Sequence, residues 1–213
     1  MKRFLLLLSC FLVLAVASNG WAAVWYVRTD GSDLNDGQSW NSAFATIQKA
    51  VTSAAASDQI WVSAGTYFPQ SSIRVDKPVS IYGGFNGSEA GLEERDWITN
   101  VTTVDGNNGV SSFYVRADAR IDGFTITNGY TYQYNGGGGI LNFRASPTIA
   151  NCVFDGNSAV NMGGAITNYF YSSPTIINSI FHGNTTEQYG GAIANFIGSS
   201  PTITNCTFYN NSA

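Results

Sequence analysis

Charge is what this 213-residue chain has least of. Asp, Glu, Lys and Arg make up 11% of it, and it holds a single histidine. With 44% hydrophobic residues it is far too apolar for a disordered chain. Acids outnumber bases, 14 to 10, for a formal charge of -4. Loss of a leader carrying Lys2 and Arg3 would take it to about -6. That excludes the basic face of a nucleic-acid binder. Three cysteines, one of them Cys10 near the start, exclude a small-protein disulfide framework. Five prolines leave the breaking of elements mostly to 23 glycines.

Long apolar runs are also missing, with one exception. After the basic head Met1–Arg3, the run Phe4–Ala17 is almost unbroken, and Ala15-Val16-Ala17 and Gly20-Trp21-Ala22 offer small-residue cleavage sites. This layout predicts a secretory signal peptide over residues 1–22, cut after Ala22, Ala23 or Ala17. Its apolar run is shorter than the roughly 20 residues that span a bilayer, which disfavours a retained anchor. Leu7-Leu8-Ser9-Cys10 loosely resembles a lipoprotein site, but would leave only Phe4–Leu8 as its apolar core. The mature chain is expected to have no transmembrane segment and to be secreted or held at the outer membrane or cell surface.

The C-terminal half repeats itself. Ser146-Pro147-Thr148-Ile149 recurs at 173–176 and 200–203. Gly138-Gly139-Ile140 recurs as Gly163-Gly164-Ala165-Ile166 and Gly190-Gly191-Ala192-Ile193. Phe154, Phe181 and Phe208 keep one step, as do Asn151, Asn178 and Asn205, and Asn157, Asn184 and Asn211. Segments 163–186 and 190–213 agree at 13 of 24 positions. A period of about 27 residues means a solenoid. Each unit holds three short apolar runs, in the middle unit 164–167, 174–177 and 179–181, separated by Gly, Asn and Ser. These are strand lengths, too short for helices. The expected fold is all-β: a right-handed parallel β-helix with three strands per coil. Ile and Phe columns point inward, glycine pairs allow close backbone approach, and Asn residues take the left-handed turns and bond their counterparts one coil away. A leucine-rich solenoid would need Leu spacing and a helix that are absent.

Residues 23–59 are read as an N-terminal strand, Val24–Arg28, followed by a capping helix. The helix is expected over about 43–55, capped by Asn41 or Ser42, with Phe44, Ile47, Val51, Ala54 and Ala55 as its apolar stripe. The β-helix then fills 60–213 in about six coils, with earlier strands near 60–62, 73–75, 79–82, 102–104, 113–115 and 121–127, and a charged surface loop over 91–100. Cys152 and Cys206 fall two coils apart with Ser179 between them. Their Cα atoms should lie about 9.6 Å apart, beyond the roughly 7 Å limit for a disulfide, so both are predicted free and inward-facing. The last unit stops at Ala213, just before the next Gly-Gly-Ala-Ile is due. That suggests a truncated chain with an open edge available for self-association.

Two motifs carry a family resemblance. Gly-Gly-Ala-Ile at 163–166 and 190–193, with Phe-x-x-Asn at 154–157, 181–184 and 208–211, resembles the repeats of polymorphic outer membrane proteins, whose β-helical passengers are implicated in adhesion. The likeness covers about 136–213, and that family's membrane barrel is absent from these residues. The N-terminal stretches 26–37, 60–67, 81–85 and 121–127, with the helix from Ala43, resemble secreted pectin-lyase-like β-helix proteins. That group implies the same fold and includes polysaccharide lyases and hydrolases.

Chemistry is sparse. A lyase needs a base and a cationic aid, and a hydrolase needs paired carboxylates. From Gly123 onward only Arg144, Asp155 and Glu187 are charged, and they are expected on different turns, as is His182. Asp118 and Asp122 are read as solvated turn residues rather than a catalytic pair. Asp30, Asp33 and Asp36, with Asn35, form a candidate calcium site, the alternative being an Asx-rich turn. Asn184-Thr185-Thr186 and Asn205-Cys206-Thr207 match the glycosylation pattern, as Asn-rich turns do by chance. The aromatics are more suggestive. Phe143, Tyr169 and Phe196 each follow the Asn of a Gly-Gly-x-Ile-x-Asn segment and should form a ladder. Phe170 and Tyr171 extend it, and Tyr130, Tyr132 and Tyr134 lie just upstream. Such a ladder stacks on sugar rings, anchors a partner, or simply braces the coils. The expected role is a non-catalytic, adhesin-like scaffold for an extracellular polysaccharide or a host or cell-surface component. A polysaccharide lyase or hydrolase and a purely structural stalk are the alternatives.

Overall fold

A computed structural model describes residues 22–133 and 135–213. The signal-peptide reading therefore lies, apart from Ala22, outside the described residues, as does Tyr134. Strands of three to six residues stack in parallel in three long sheets. One has seven strands: Val24–Val27, Gln59–Ser63, Ser80–Phe85, Arg120–Asp122, Thr148–Ala150, Thr175–Ile177 and Thr202–Thr204. The second has six, from Gly65–Tyr67 and Thr102–Asp105 to Thr207–Tyr209. The third has five: Ile73–Val75, Phe113–Val115, Ile140–Phe143, Ile166–Tyr169 and Ile193–Phe196. Two-residue strands at 130–131, 158–159 and 185–186 add a short ribbon. The fold is a right-handed parallel β-helix.

Parallel pairing puts like on like. Ile60, Ile81, Ile121, Ile149 and Ile176 occupy one register position and are fully buried. Phe154, Phe181 and Phe208 stack with centroids 4.7 and 4.6 Å apart and planes within 5°. Deleting such a buried ring costs about 3–5 kcal/mol.

The two recurrent Asn columns differ, which the shared spacing hides. Asn151, Asn178 and Asn205 sit at the corner between sheets with φ near +51°, as expected. They bond in sequence, Asn205 to Asn178 and Asn178 to Asn151, and Asn151 donates to Asp122. Asn157 and Asn184 are not exposed turn residues. They are fully buried. Asn184 Nδ2 donates to the Phe154 carbonyl and to Asn211 Oδ1, while its Oδ1 accepts from the backbone and side chain of Asn157. This burial removes Asn184 as a glycosylation site in the folded chain. A third column, Asn142, Asn168 and Asn195, also bonds side chain to side chain at 2.8 Å.

Local expectations for one strand and for the helix are corrected. The strand expected over 121–127 is two strands, because Gly123 turns the corner at φ +79°. It takes the position that Asn151, Asn178 and Asn205 hold in later coils. The helix is shorter, Ile47–Ser53, and Thr46 caps it through the Lys49 amide. Asn41 and Ser42 belong to a 3-10 turn capped by Ser39. Phe44 cannot start the helix, since its backbone bonds Tyr26 and Arg28 as a bridge to the first strand. Ile47, Ala50, Val51 and Ala54 are buried, but Ala55 is exposed and its amide goes to Asp58. The 91–100 loop is strapped down. Arg95 reaches Asp122 at 2.7 Å and the Gly83 carbonyl at 3.1 Å, its side chain only 9% exposed. Cys152 is buried and Cys206 partly so, and both are free thiols. Burial pushes the Cys152 thiol up to about 12.

Asn184→Ala strands the Asn157 amides and the Phe154 carbonyl inside the coil. It should cost at least about 2 kcal/mol in urea denaturation. Asn178→Gly loses two exposed bonds, to Asn151 and from Asn205, but keeps the left-handed corner, and should stay within about 1 kcal/mol of wild type.

Candidate functional site

The outer face of the five-stranded sheet carries the site. Inward positions are Ile or Phe in one column and Val or Asn in the other, so alternation turns Arg74, Tyr114, Leu141 and Thr167 outward at one register level and Phe143, Tyr169 and Phe196 at another. Glycine loops fold over the later coils. Thr167 is fully buried and donates to the Gly136 carbonyl. A Cβ on Gly164 would come 2.1 Å from the Gly191 carbonyl oxygen, so this loop stacks on the next only as glycine. The earlier coils stay open. There a cleft of about 500 Å³ is lined by Tyr114, Leu141 and Phe143 on the sheet and by Tyr130, Tyr132 and Gln70 from the flanking loops.

The predicted ladder is present in register, but its rings do not form one stack. Phe143 and Tyr169 stack at 6.2 Å. Phe196 instead meets Tyr189 edge-on at 5.6 Å. Tyr171 stands apart, 73% exposed beside Gly198, in a left-handed turn one residue longer than the turn at Arg144. Tyr114, which sequence spacing did not single out, is the ring that joins Phe143 to the cleft, at 6.3 Å. It belongs to an irregular coil outside the repeat. Of the two described upstream tyrosines, Tyr132 is the more open, at 75% exposure.

Cations rim these rings. The Arg74 and Arg116 guanidiniums lie 5.8 and 5.9 Å from the Tyr114 centroid. Arg144 sits 5.4 Å from Phe143 and 5.1 Å from Phe170. Asp76 pairs with Arg74 at 2.6 Å and reaches Arg116 at 3.4 Å. The Asp76 hydrogen bond, then its charge, hold the Arg74 guanidinium firmly protonated. Asp118, bonded to the Ser146 amide, lies at the same corner, so three arginines face two carboxylates along this edge. Aromatic faces beside bidentate donors suit sugar rings carrying carboxylates.

The other candidates go elsewhere. Asp30 pairs with Arg28. Asp33 accepts from the Ala45 and Thr46 amides and the Thr46 hydroxyl, bracing the helix start. Asp36 accepts from Gln38, and hydrogen bonds, first from Ser42, lower its carboxyl from the ordinary range. Among the described residues no three His, Cys, Asp or Glu side chains converge as metal ligands. Asp118 takes the Ser146 amide, but Asp122 is not the solvated turn residue expected: it ends a strand, fully buried and enclosed by Arg95, Arg120 and Asn151, so the two carboxylates are held apart by separate partners. Asp155 and His182, expected apart, meet on adjacent coils at 2.8 Å, with Tyr209 stacked on the imidazole at 4.4 Å. Gly163, Gly164, Gly190 and Gly191 pack the loops that close the rest of the face.

This is the architecture of a right-handed parallel β-helix. A solved structure of a "Rhamnogalacturonan lyase" matches with a TM-score of 0.58 at 15% identity, over 89% of this chain and 52% of that one. The chain thus spans about half the length of that structure, and the likeness is one of fold. Residues 29–213 match the family described as "Protein of unknown function (DUF1565)", and the chain belongs to that family. No curated protein matches the sequence.

Asp33→Ala should lower stability by about 1–2 kcal/mol through the lost brace at the helix start. The loss should be the same with and without calcium in thermal melts. A calcium-dependent melting shift in the wild type that vanishes in this variant would restore the calcium site.

Proposed function

We propose that this protein is a non-catalytic, exported β-helix scaffold that binds extended anionic polysaccharide in the cleft over Tyr114 and Phe143. The carrying observation is a cleft lined by Tyr114, Tyr130, Tyr132 and Phe143, with the Arg74 and Arg116 guanidiniums 5.8 and 5.9 Å from the Tyr114 ring and Arg144 5.4 Å from Phe143. The rings supply flat apolar platforms and exclude water, while the guanidiniums hold carboxylates of the bound chain. Tyr114 and Phe143 sit on adjacent coils with centroids 6.3 Å apart and planes inclined at 63°. An extended glycan lying along the helix axis advances by close to one coil per sugar, so each ring can meet its own residue. Strands fixed by register keep the platforms rigid, which lowers the entropy lost on binding.

The likeness of residues 136–213 to adhesin repeats supports a role at a surface, and the basic, apolar N-terminus supports export. A lyase reading draws on the fold alone.

Binding to polygalacturonate, with neutral dextran as control, tests the reading by titration calorimetry. Wild type should prefer polygalacturonate, and affinity should fall as salt rises. Phe143→Ala should weaken it about tenfold or more, a loss of about 1.4 kcal/mol, with little change in unfolding. Equal affinity for dextran, or an unchanged Phe143→Ala, would overturn the assignment. Release of unsaturated sugar ends during the titration would replace it with the lyase.

A further inference from the structure

A second cavity lies beside the first. It measures about 420 Å³ and sits between the start of the helix and the loop that leaves strand Gly65–Tyr67. Both linings are uncharged, but guanidiniums flank the Tyr114 and Phe143 rings of the first and, among the described residues, none flanks Tyr67 or Phe68 of the second. Ile47, Ile73, Phe68 and Pro69 give it apolar walls, and Thr29, Thr66, Gln70 and Ser71 supply uncharged polar groups. No Asp, Glu, Lys or Arg lines it. Gln70 and Ser71 line both cavities, so the loop 68–72 is the common wall between them.

Phe68 is the informative residue. It is 58% exposed at the rim, where an aromatic ring gains little from burial in the fold. Tyr67 just before it is buried and bonds the Ser63 and Val27 carbonyls, which anchors the loop to the sheet. Pro69 just after it restricts the backbone. The ring is thus presented on a constrained segment over an open cavity, the arrangement of a stacking platform.

We infer that this cavity is a second sugar subsite that takes a neutral pyranose ring, stacked on Phe68 and hydrogen-bonded by the rim hydroxyls and the Gln70 carboxamide. The inference rests on the glycan reading of the neighbouring cleft, with which it is continuous through Gln70 and Ser71. Together the two subsites select a chain in which neutral and acidic sugars lie within reach of each other. A uniform uronate polymer would fill only the arginine-rimmed one.

Amide chemical-shift mapping on ¹⁵N-labelled protein separates the two subsites. The probes are cellobiose and N,N′-diacetylchitobiose, both neutral, and digalacturonate, which is acidic. At least one neutral probe should move the amides of Thr29 and residues 66–71 and leave those of Tyr114 and Phe143 in place. Phe68→Ala should weaken that response about tenfold, while its digalacturonate response stays as in wild type. If neither neutral probe moves these amides, or if Phe68→Ala responds like wild type, the neutral subsite is wrong. A failure of digalacturonate to move Tyr114 and Phe143 would instead strike the neighbouring cleft, and would be read separately.

Discussion

Each coil of this chain sits about 4.8 Å above the last, in register, so a side chain's nearest neighbour along the axis is its own counterpart. Every column must therefore be self-compatible. Isoleucine on isoleucine and phenylalanine on phenylalanine satisfy this by packing. Asparagine satisfies it in another way, because its carboxamide both donates and accepts. The buried ladder Asn157, Asn184 and Asn211 uses that property to carry a polar group through the interior with its bonds made at each step. Glycine satisfies it by having no side chain where loops touch, as at Gly164 beneath Gly191. A column of like charges would fail the test, which accounts for the scarcity of ionisable residues in the regular half.

The same constraint made the fold legible. Repeats at 146–149, 173–176 and 200–203 place three strands in one sheet without any structural information. It also limited what could be read. The spacing of Asn157, Asn184 and Asn211 equals that of Asn151, Asn178 and Asn205, yet one column is interior and the other a corner. A period reports equivalence between coils and says nothing of direction within one. The helix start is hidden from the sequence for a different reason. Asn41 and Ser42 have cap chemistry, but Phe44 is committed to the first strand, a contact set by tertiary structure.

The site was legible only in its repeated part. Phe143 and Tyr169 could be found because they recur, and Tyr130 and Tyr132 because they cluster. Tyr114, Arg74 and Arg116 come from coils that carry no repeat, so no spacing joins them to Phe143. The irregular N-terminal coils bear the loops that stand clear of the sheet. The regular C-terminal coils cover their own outer face with glycine loops. Regularity stabilises the rod, and the site opens where regularity stops.

The central claim is that a polyanionic glycan lies along the helix axis across the five-stranded sheet. A crystal structure of the protein with a galacturonate oligosaccharide tests it most directly. The account predicts sugar rings over Tyr114 and Phe143 on successive coils, with carboxylates bonded to Arg74, Arg116 or Arg144. An oligosaccharide bound instead on the seven-stranded sheet beside Arg120, or cleaved there, would contradict it.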